Sequence, residues 1–359
     1  MSSIYHPSKY IDPSIVLTLR NFAGQAEKLK QLHPEQLALI QQQQWFRLFV
    51  PKIYNGLEET LMQGLLLEET LAWTDGSIGW TVTLCAGAGW FSAFLNSALA
   101  AKIFRDPAAC IAGSGKSTGI AKKTGDRYEI SGNWEYATGA NNATCFTANC
   151  VIEENGLLLK NANGEHFIRP FLFLKEEVMI METWKAVGMI ATGSNSFAVH
   201  ELIVPGDRLF DIESASPLVQ LPLFAYPFLQ FAETTLAVNS SGMAIRFLDL
   251  CAKIFAQKPN LALQASLAEV SKELHKARQD FYTEVENSWK ECVGNFAVSS
   301  PVLQRVSHLA RHLAYTSRRV VDSLYPHCGM QAANPETEIN RVWRNLHTAS
   351  QHNLLNTSM

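Results

Sequence analysis

Between Gly76 and Ala101 the chain runs for 26 residues without a charged side chain. A stretch of that length belongs either in a bilayer or in the middle of a large core. Its four glycines, Asn96 and several Ser and Thr argue for buried helices instead of a membrane span. A chain of 359 residues is long enough to bury them, with room for two or three domains.

The segment before it, LEETLMQGLLLEETLAWT from Leu57, spaces Leu57, Leu61 and Leu65 as one face of a helix. That spacing predicts Glu58, Glu59, Glu68 and Glu69 on a wetter side. Asp106-Pro107 then stops the helical pattern. From Ala108 to about Asp211 short β-branched and aromatic runs alternate with NG, GD and PGD turns, the pattern of a compact strand-rich unit. Beyond Pro222 helical periodicity returns over 229–256, 262–290, around 303–324, and 336–355, which suggests an antiparallel bundle. The expected class is α+β, with an N-terminal α-helical domain over 1–106, a middle β-barrel-like domain over 107–213 and a C-terminal four-helix bundle over 214–359.

Thirty basic against thirty-three acidic side chains leave no basic field for nucleic acid or an anionic membrane, so small molecules are the expected partners. Seven scattered cysteines without a CxxC pair, behind an N-terminus with no basic-then-apolar leader, point to reduced thiols and a cytoplasmic protein. His308 and His312 share a helix face but bring no third ligand, so no metal is expected.

AGSGKSTGIA at 112–121 imitates a phosphate-binding loop. That motif requires glycine where Cys110 stands, and a helix where IAKKTGDRYEI instead reads as two strands joined at Thr124-Gly125-Asp126. A triphosphate site is therefore rejected.

Three stretches, in order and at matching spacing over roughly 60–355, resemble the acyl-CoA dehydrogenase superfamily: YEISGNWEYATGANNA (128–143), TWKAVGMIATGSNSFAVHELIVPGDRLF (183–210) and CGMQAANPETEINRVWRNLHTASQH (328–352). The resemblance implies an acyl-CoA dehydrogenase-like fold and reads AGSGKST as a flavin-edge loop, with Gly113 and Ser114 beside the ring. Two departures stand out. The first flavin loop is short, and the glutamate base of the dehydrogenases falls on Asn353, which is no base. Thr183-Trp184, Gly188-Met189, Thr192-Gly193-Ser194 and the run from Arg344-Asn345 to His352 are closer to the two-component, group D flavin-dependent monooxygenases.

That resemblance implies a hydroxylase of a small apolar or aromatic substrate working through a C4a-hydroperoxyflavin. Reduced FAD or FMN would be the cosubstrate, a separate flavin reductase the electron source, and the protein a homo-oligomer, dimer or tetramer. His352 and Thr138 are the implied catalytic residues, His347 being a weaker candidate. Gly113, Ser114, Tyr136, Thr138, Trp184, Ser194 and Arg344 are the implied flavin contacts. Two alternatives stay open here: a dehydrogenase with a relocated base such as Glu233, and a scaffold without chemistry.

Overall fold

The computed structural model describes residues 4–212, 217–257 and 260–356. Helices α1 (Pro13–Asn21), α2 (Ala23–Leu29), α3 (Pro34–Gln42), α4 (Leu61–Thr74), α5 (Gly76–Gly89) and α6 (Ser97–Ile103) come first. Helix starts are set by local side chains. Thr60 and Gln63 form a capping box on α4, and the Asp75 carboxylate accepts the Ser77 and Ile78 amides at the head of α5. The uncharged stretch forms α5, almost wholly buried, and leads through a tight turn into α6, which buries Leu99 and Ala100, and no helix among the described residues is long and apolar enough to cross a membrane.

Seven strands follow: β1 (Ile111–Thr124), β2 (Arg127–Ala137), β3 (Cys145–Glu154), β4 (Leu157–Leu158), β5 (Ile168–Leu174), β6 (Met179–Met181) and β7 (Asn195–Pro205). They make one sheet in the order β4-β3-β1-β2-β7-β6, with β5 also paired to β3. The hairpin joining β1 to β2 closes as the Gly-Asp pair requires: Thr124 pairs Arg127, and Gly125 at φ +61° supplies the positive φ of the first central position. The GKST segment lies inside β1, where the parallel register with β3 breaks between Ser114 and Gly119. No helix follows it. Aromatic rings fill the sheet's own core, with Trp134 stacked on Phe197 at 5.2 Å between centroids.

The remaining helices are α7 (Pro222–Ala225), α8 (Phe228–Ala256), α9 (Leu261–Asn295), α10 (Ser300–Leu324), α11 (Met330–Ala333) and α12 (Glu338–Ala349). Helix α8 is the hub, touching α9, α10 and α12 on the bundle side and α4 and α5 on the other. This packing overturns one expectation. Glu68 and Glu69 do not face water; both are 0 % exposed, because α4 is covered by α8 and α9 as well as α5. Glu69 is satisfied there by Arg278 Nη2 at 2.7 Å, Ser241 Oγ at 2.5 Å and Tyr282 Oη at 3.0 Å. Glu68 has no such partners among the described residues.

Candidate active site

A cavity of about 820 Å³ opens between the break in β1 and the helices α5 and α8. Gly113, Ser114 and Thr138 line its sheet side, Phe91, Phe231 and Leu236 its helical side, and His352 its end. Residues far apart in sequence and expected to act together thus face one mostly apolar space.

Thr138 is aimed by a local irregularity. The β2–β7 register shifts between Trp134 and Ala137, Tyr136 adopts φ +66°, and Gly139 at φ +77° donates its amide to Thr192 O at 2.9 Å. A strand interrupted in this way re-aims the side chains at the break. Gly113 is held close on the other side of the opening, where a Cβ would sit 2.9 Å from the Thr147 carbonyl oxygen.

Three buried hydroxyls form a relay that ends on Thr138. Thr192 Oγ1 donates to Met189 O at 2.8 Å and lies 2.7 Å from Ser194 Oγ, which lies 2.8 Å from Thr138 Oγ1. A carbonyl only accepts, so the Thr192 proton is committed to Met189. Ser194 must then donate to Thr192, and Thr138 to Ser194. The Thr138 amide is spent as well, on Tyr136 O at 3.1 Å. Thr138 therefore turns lone pairs toward the cavity.

His352 is half-buried at the foot of α12, with Trp80 edge-on at 6.0 Å. Its Nδ1 accepts the Leu354 amide at 3.3 Å, which puts the proton of the neutral ring on Nε2. Burial lowers its pKa from the ordinary 6.5, so the ring is neutral at pH 7. Thr138 offers the cavity an acceptor and His352 a donor.

The other predicted contacts are distributed around this centre. Tyr136, 58 % exposed, meets the edge of Trp184 at 6.2 Å, and Lys116 lies over the Tyr136 ring at 4.7 Å while paired with Glu135. Trp184 is fixed by Nε1 donating to Met189 O at 2.8 Å and its amide to Asn195 Oδ1 at 3.1 Å. Arg344 is not brought to the cavity. Its guanidinium donates to Asn340 Oδ1, Val187 O and Glu27 Oε2 at 2.7, 2.7 and 3.0 Å. His347 is likewise held apart, between Asp322 and the Trp343 carbonyl.

Neither the position of the dehydrogenase base nor its candidate replacement serves the cavity. Asn353 is exposed and does not line the cavity. Glu233 is buried beside the bundle, its carboxylate held by Arg311 Nη1 at 2.5 Å and by the Ser307 hydroxyl. Sequence reasoning missed Thr83 on the helical wall and Asn239 behind it, because a threonine in an uncharged helix and an asparagine in a long one give no pattern signal.

The comparisons with known proteins agree with this geometry. The family described as "Acyl-CoA dehydrogenase, C-terminal domain" matches residues 223–357. The chain is 25 % identical to the indole-3-acetate monooxygenase of Pseudomonas putida over 319 residues, covering 86 % of this chain and 79 % of that one. It is 21 % identical over 358 residues to HsaA, the oxygenase subunit of a flavin-dependent monooxygenase from Rhodococcus jostii, covering 94 % and 92 %. The structure of XiaF from Streptomyces, in complex with FADH2 and glycerol, superposes with a TM-score of 0.85 at 21 % identity, over 96 % of this chain and 90 % of that one. Residues 223–357 are thus similar to an acyl-CoA dehydrogenase C-terminal domain, and over most of its length the chain is similar to flavin-dependent monooxygenases and shares their fold.

Proposed function

We propose that this chain is the oxygenase component of a reduced-flavin monooxygenase that hydroxylates a small apolar or aromatic substrate in the 820 Å³ cavity. The observation that carries the reading is the pairing of His352 with Thr138 across an apolar space, while Glu233, the candidate bundle base, is locked in an ion pair. An aromatic substrate and a flavin-dependent oxygenase subunit are what the relatives' names describe.

The residues suit a flavin, FAD or FMN. Gly113 and Ser114 bring close backbone to the cavity, Tyr136 and Trp184 add a pair of aromatic rings next to Thr138, Ser194 backs Thr138 from behind, and the Thr138 acceptor matches the extra N–H that reduction places on the ring. Bound reduced flavin supplies the electrons that activate dioxygen, and a separate flavin reductase would deliver it. The chain's own work is to hold and exclude. Thr138 would accept from the reduced ring, His352 would donate its Nε2 proton to an oxygen in the cavity, and Phe91, Phe231 and Leu236 would keep water away. Arg344 acts at one remove by fixing Val187 O, next to the Gly188-Met189 segment whose carbonyl anchors Trp184. The exposure of Tyr136 in one protomer supports assembly into a dimer or tetramer that covers this edge. The reading treats 1–106, 107–213 and 214–359 as three units of one oxygenase.

The test is to mix the purified protein anaerobically with reduced FAD or FMN, admit oxygen and follow the spectrum. A transient near-ultraviolet band outliving that of free reduced flavin is expected. Reoxidation at the free-flavin rate with stoichiometric peroxide would overturn the reading.

A further inference from the structure

Glu68 is fully buried behind the cavity wall, and among the described residues neither of its carboxylate oxygens completes a hydrogen bond of good geometry. Burial drives its pKa well above the ordinary carboxyl value, and the Thr83 hydroxyl is the polar side chain near enough to temper that rise. The group is thus a neutral acid with one O–H to donate. Thr83 stands between it and the cavity, 2 % exposed and part of the cavity lining.

Thr83 differs from its neighbours. Thr70, Thr74, Thr81, Thr234 and Thr235 each donate to a carbonyl three or four residues back on their own helix. Thr83 makes no such bond among the described residues. It accepts instead from Asn239 Nδ2 at 2.8 Å, and the orientation of that amide is certain, because Nδ2 also donates to the Thr235 carbonyl at 2.9 Å. One lone pair of Thr83 is therefore filled.

We propose that Thr83 is the polar anchor for the substrate: Asn239 N–H and the Glu68 O–H fill its two acceptor positions, leaving its own proton to donate into the cavity toward an acceptor oxygen of an otherwise apolar molecule. The opposite polarity, a ligand donating to Thr83 and Thr83 to Glu68, strands the acid's O–H in a dry site. A stranded donor is the worse defect of the two, since an under-used carbonyl oxygen is better tolerated. The favoured class is a neutral aromatic carrying a carbonyl or comparable oxygen acceptor. Thr83 would touch the substrate, and Glu68 would be a positioning residue. The inference rests on reading the cavity as the substrate pocket.

The test compares 2-acetylnaphthalene with 2-ethylnaphthalene, which have nearly the same shape but of which only the first carries an acceptor. Binding to the purified full chain is measured calorimetrically, without turnover. The wild-type protein should prefer the acetyl compound by about 3- to 10-fold, the worth of one neutral hydrogen bond. Thr83→Val should erase the preference and leave the ethyl compound's Kd unchanged. Glu68→Leu should erase most of it, and Glu68→Gln, whose amide still donates to Thr83, should keep it. A purely structural role for Glu68 would weaken both ligands equally and leave their ratio intact. Equal binding by the wild type, or a preference surviving in Thr83→Val or Glu68→Leu, overturns the proposal. If Thr83→Val does not fold, Glu68→Leu decides, because it removes the donor to Thr83 and replaces a buried acid with an apolar side chain of similar size. Since no oxygen chemistry is involved, failure of the monooxygenase reading would show in the spectrum and leave this ratio untouched.

Discussion

Thr138 and Ser194 meet hydroxyl to hydroxyl at 2.8 Å across 56 residues of chain, and the bond from Thr192 to Met189 O decides which of them gives its proton. A polar relay that ends on a carbonyl has one direction, so it converts a threonine from a donor into an acceptor at the cavity surface.

Removing the middle of that relay should change which flavin the site prefers. Ser194→Ala takes away the acceptor of the Thr138 proton and lets Thr138 donate instead. Anaerobic titration should then show reduced flavin binding roughly 3- to 10-fold more weakly relative to oxidised flavin than in the wild type. An unchanged ratio would show that the relay does not set the preference.

His352 should govern how much of the reducing power reaches substrate. With His352→Ala, product formed per reduced flavin consumed is expected to fall by roughly tenfold, hydrogen peroxide taking up the difference. Coupling equal to that of the wild type would remove His352 from the chemistry.

The pH dependence of that coupling follows from the ring's environment. Burial lowers the His352 pKa below 6.5, so the neutral Nε2 donor persists from alkaline pH down to about that value. Stability follows the same sign. Above 6.5 the folded and unfolded rings are both neutral; below it the unfolded chain takes up a proton the folded ring resists, and stability falls as pH falls. Thermal melts of His352→Ala should lose part of the acid-side decline seen in the wild type.

For Glu68 the linkage runs the other way. Its folded pKa is raised, so the folded state holds a proton that the unfolded chain releases above 4.5, and this group erodes stability as pH rises. Glu68→Leu should therefore stabilise the protein, by about 1–3 kcal/mol at pH 5 and by more at pH 8, measured by urea unfolding. A loss of stability at pH 8 would contradict the assignment of a neutral, buried acid.

The adjacent Glu69 predicts the opposite response. Its ion pair with Arg278, 2.7 Å long and almost fully buried, is joined by Ser241 and Tyr282. Arg278→Met would strand the carboxylate, with an expected loss of about 3–5 kcal/mol in urea unfolding. A loss under about 1 kcal/mol, as for exposed pairs, would show the group is not buried in solution.

Much of the fold could be read along the chain, because the signals are local. The Gly-Asp hairpin at 125–126, the caps at Thr60 and Asp75, the helical spacing beyond Pro222 and the rejection of a phosphate loop at GKST depend on residues a few places apart, as do backbone φ, turn geometry and helix period. The uncharged Gly76–Ala101 stretch announced its own burial for the same reason. His352, Thr138 and Gly113 were found as motif positions, and they face one cavity because the motifs mark where the sheet, α5 and α12 converge.

What no local pattern carries is the neighbour across an interface. Two adjacent glutamates on α4 look alike in sequence; α8 and α9 bury both, and only Glu69 finds an arginine, 209 residues away. Glu233 became an ion-pair partner instead of a base through Arg311, and Arg344 a brace for Val187 instead of a cavity residue, by the same kind of long-range meeting. The direction of the Thr138 proton and the isolation of Thr83 depend on hydrogen-bond partners that come together only when separate elements pack. Sequence determined which elements form and where they begin; tertiary packing decided which polar groups are satisfied, and so which are left to do chemistry, because burial and pairing belong to the assembled interior and not to any stretch of chain.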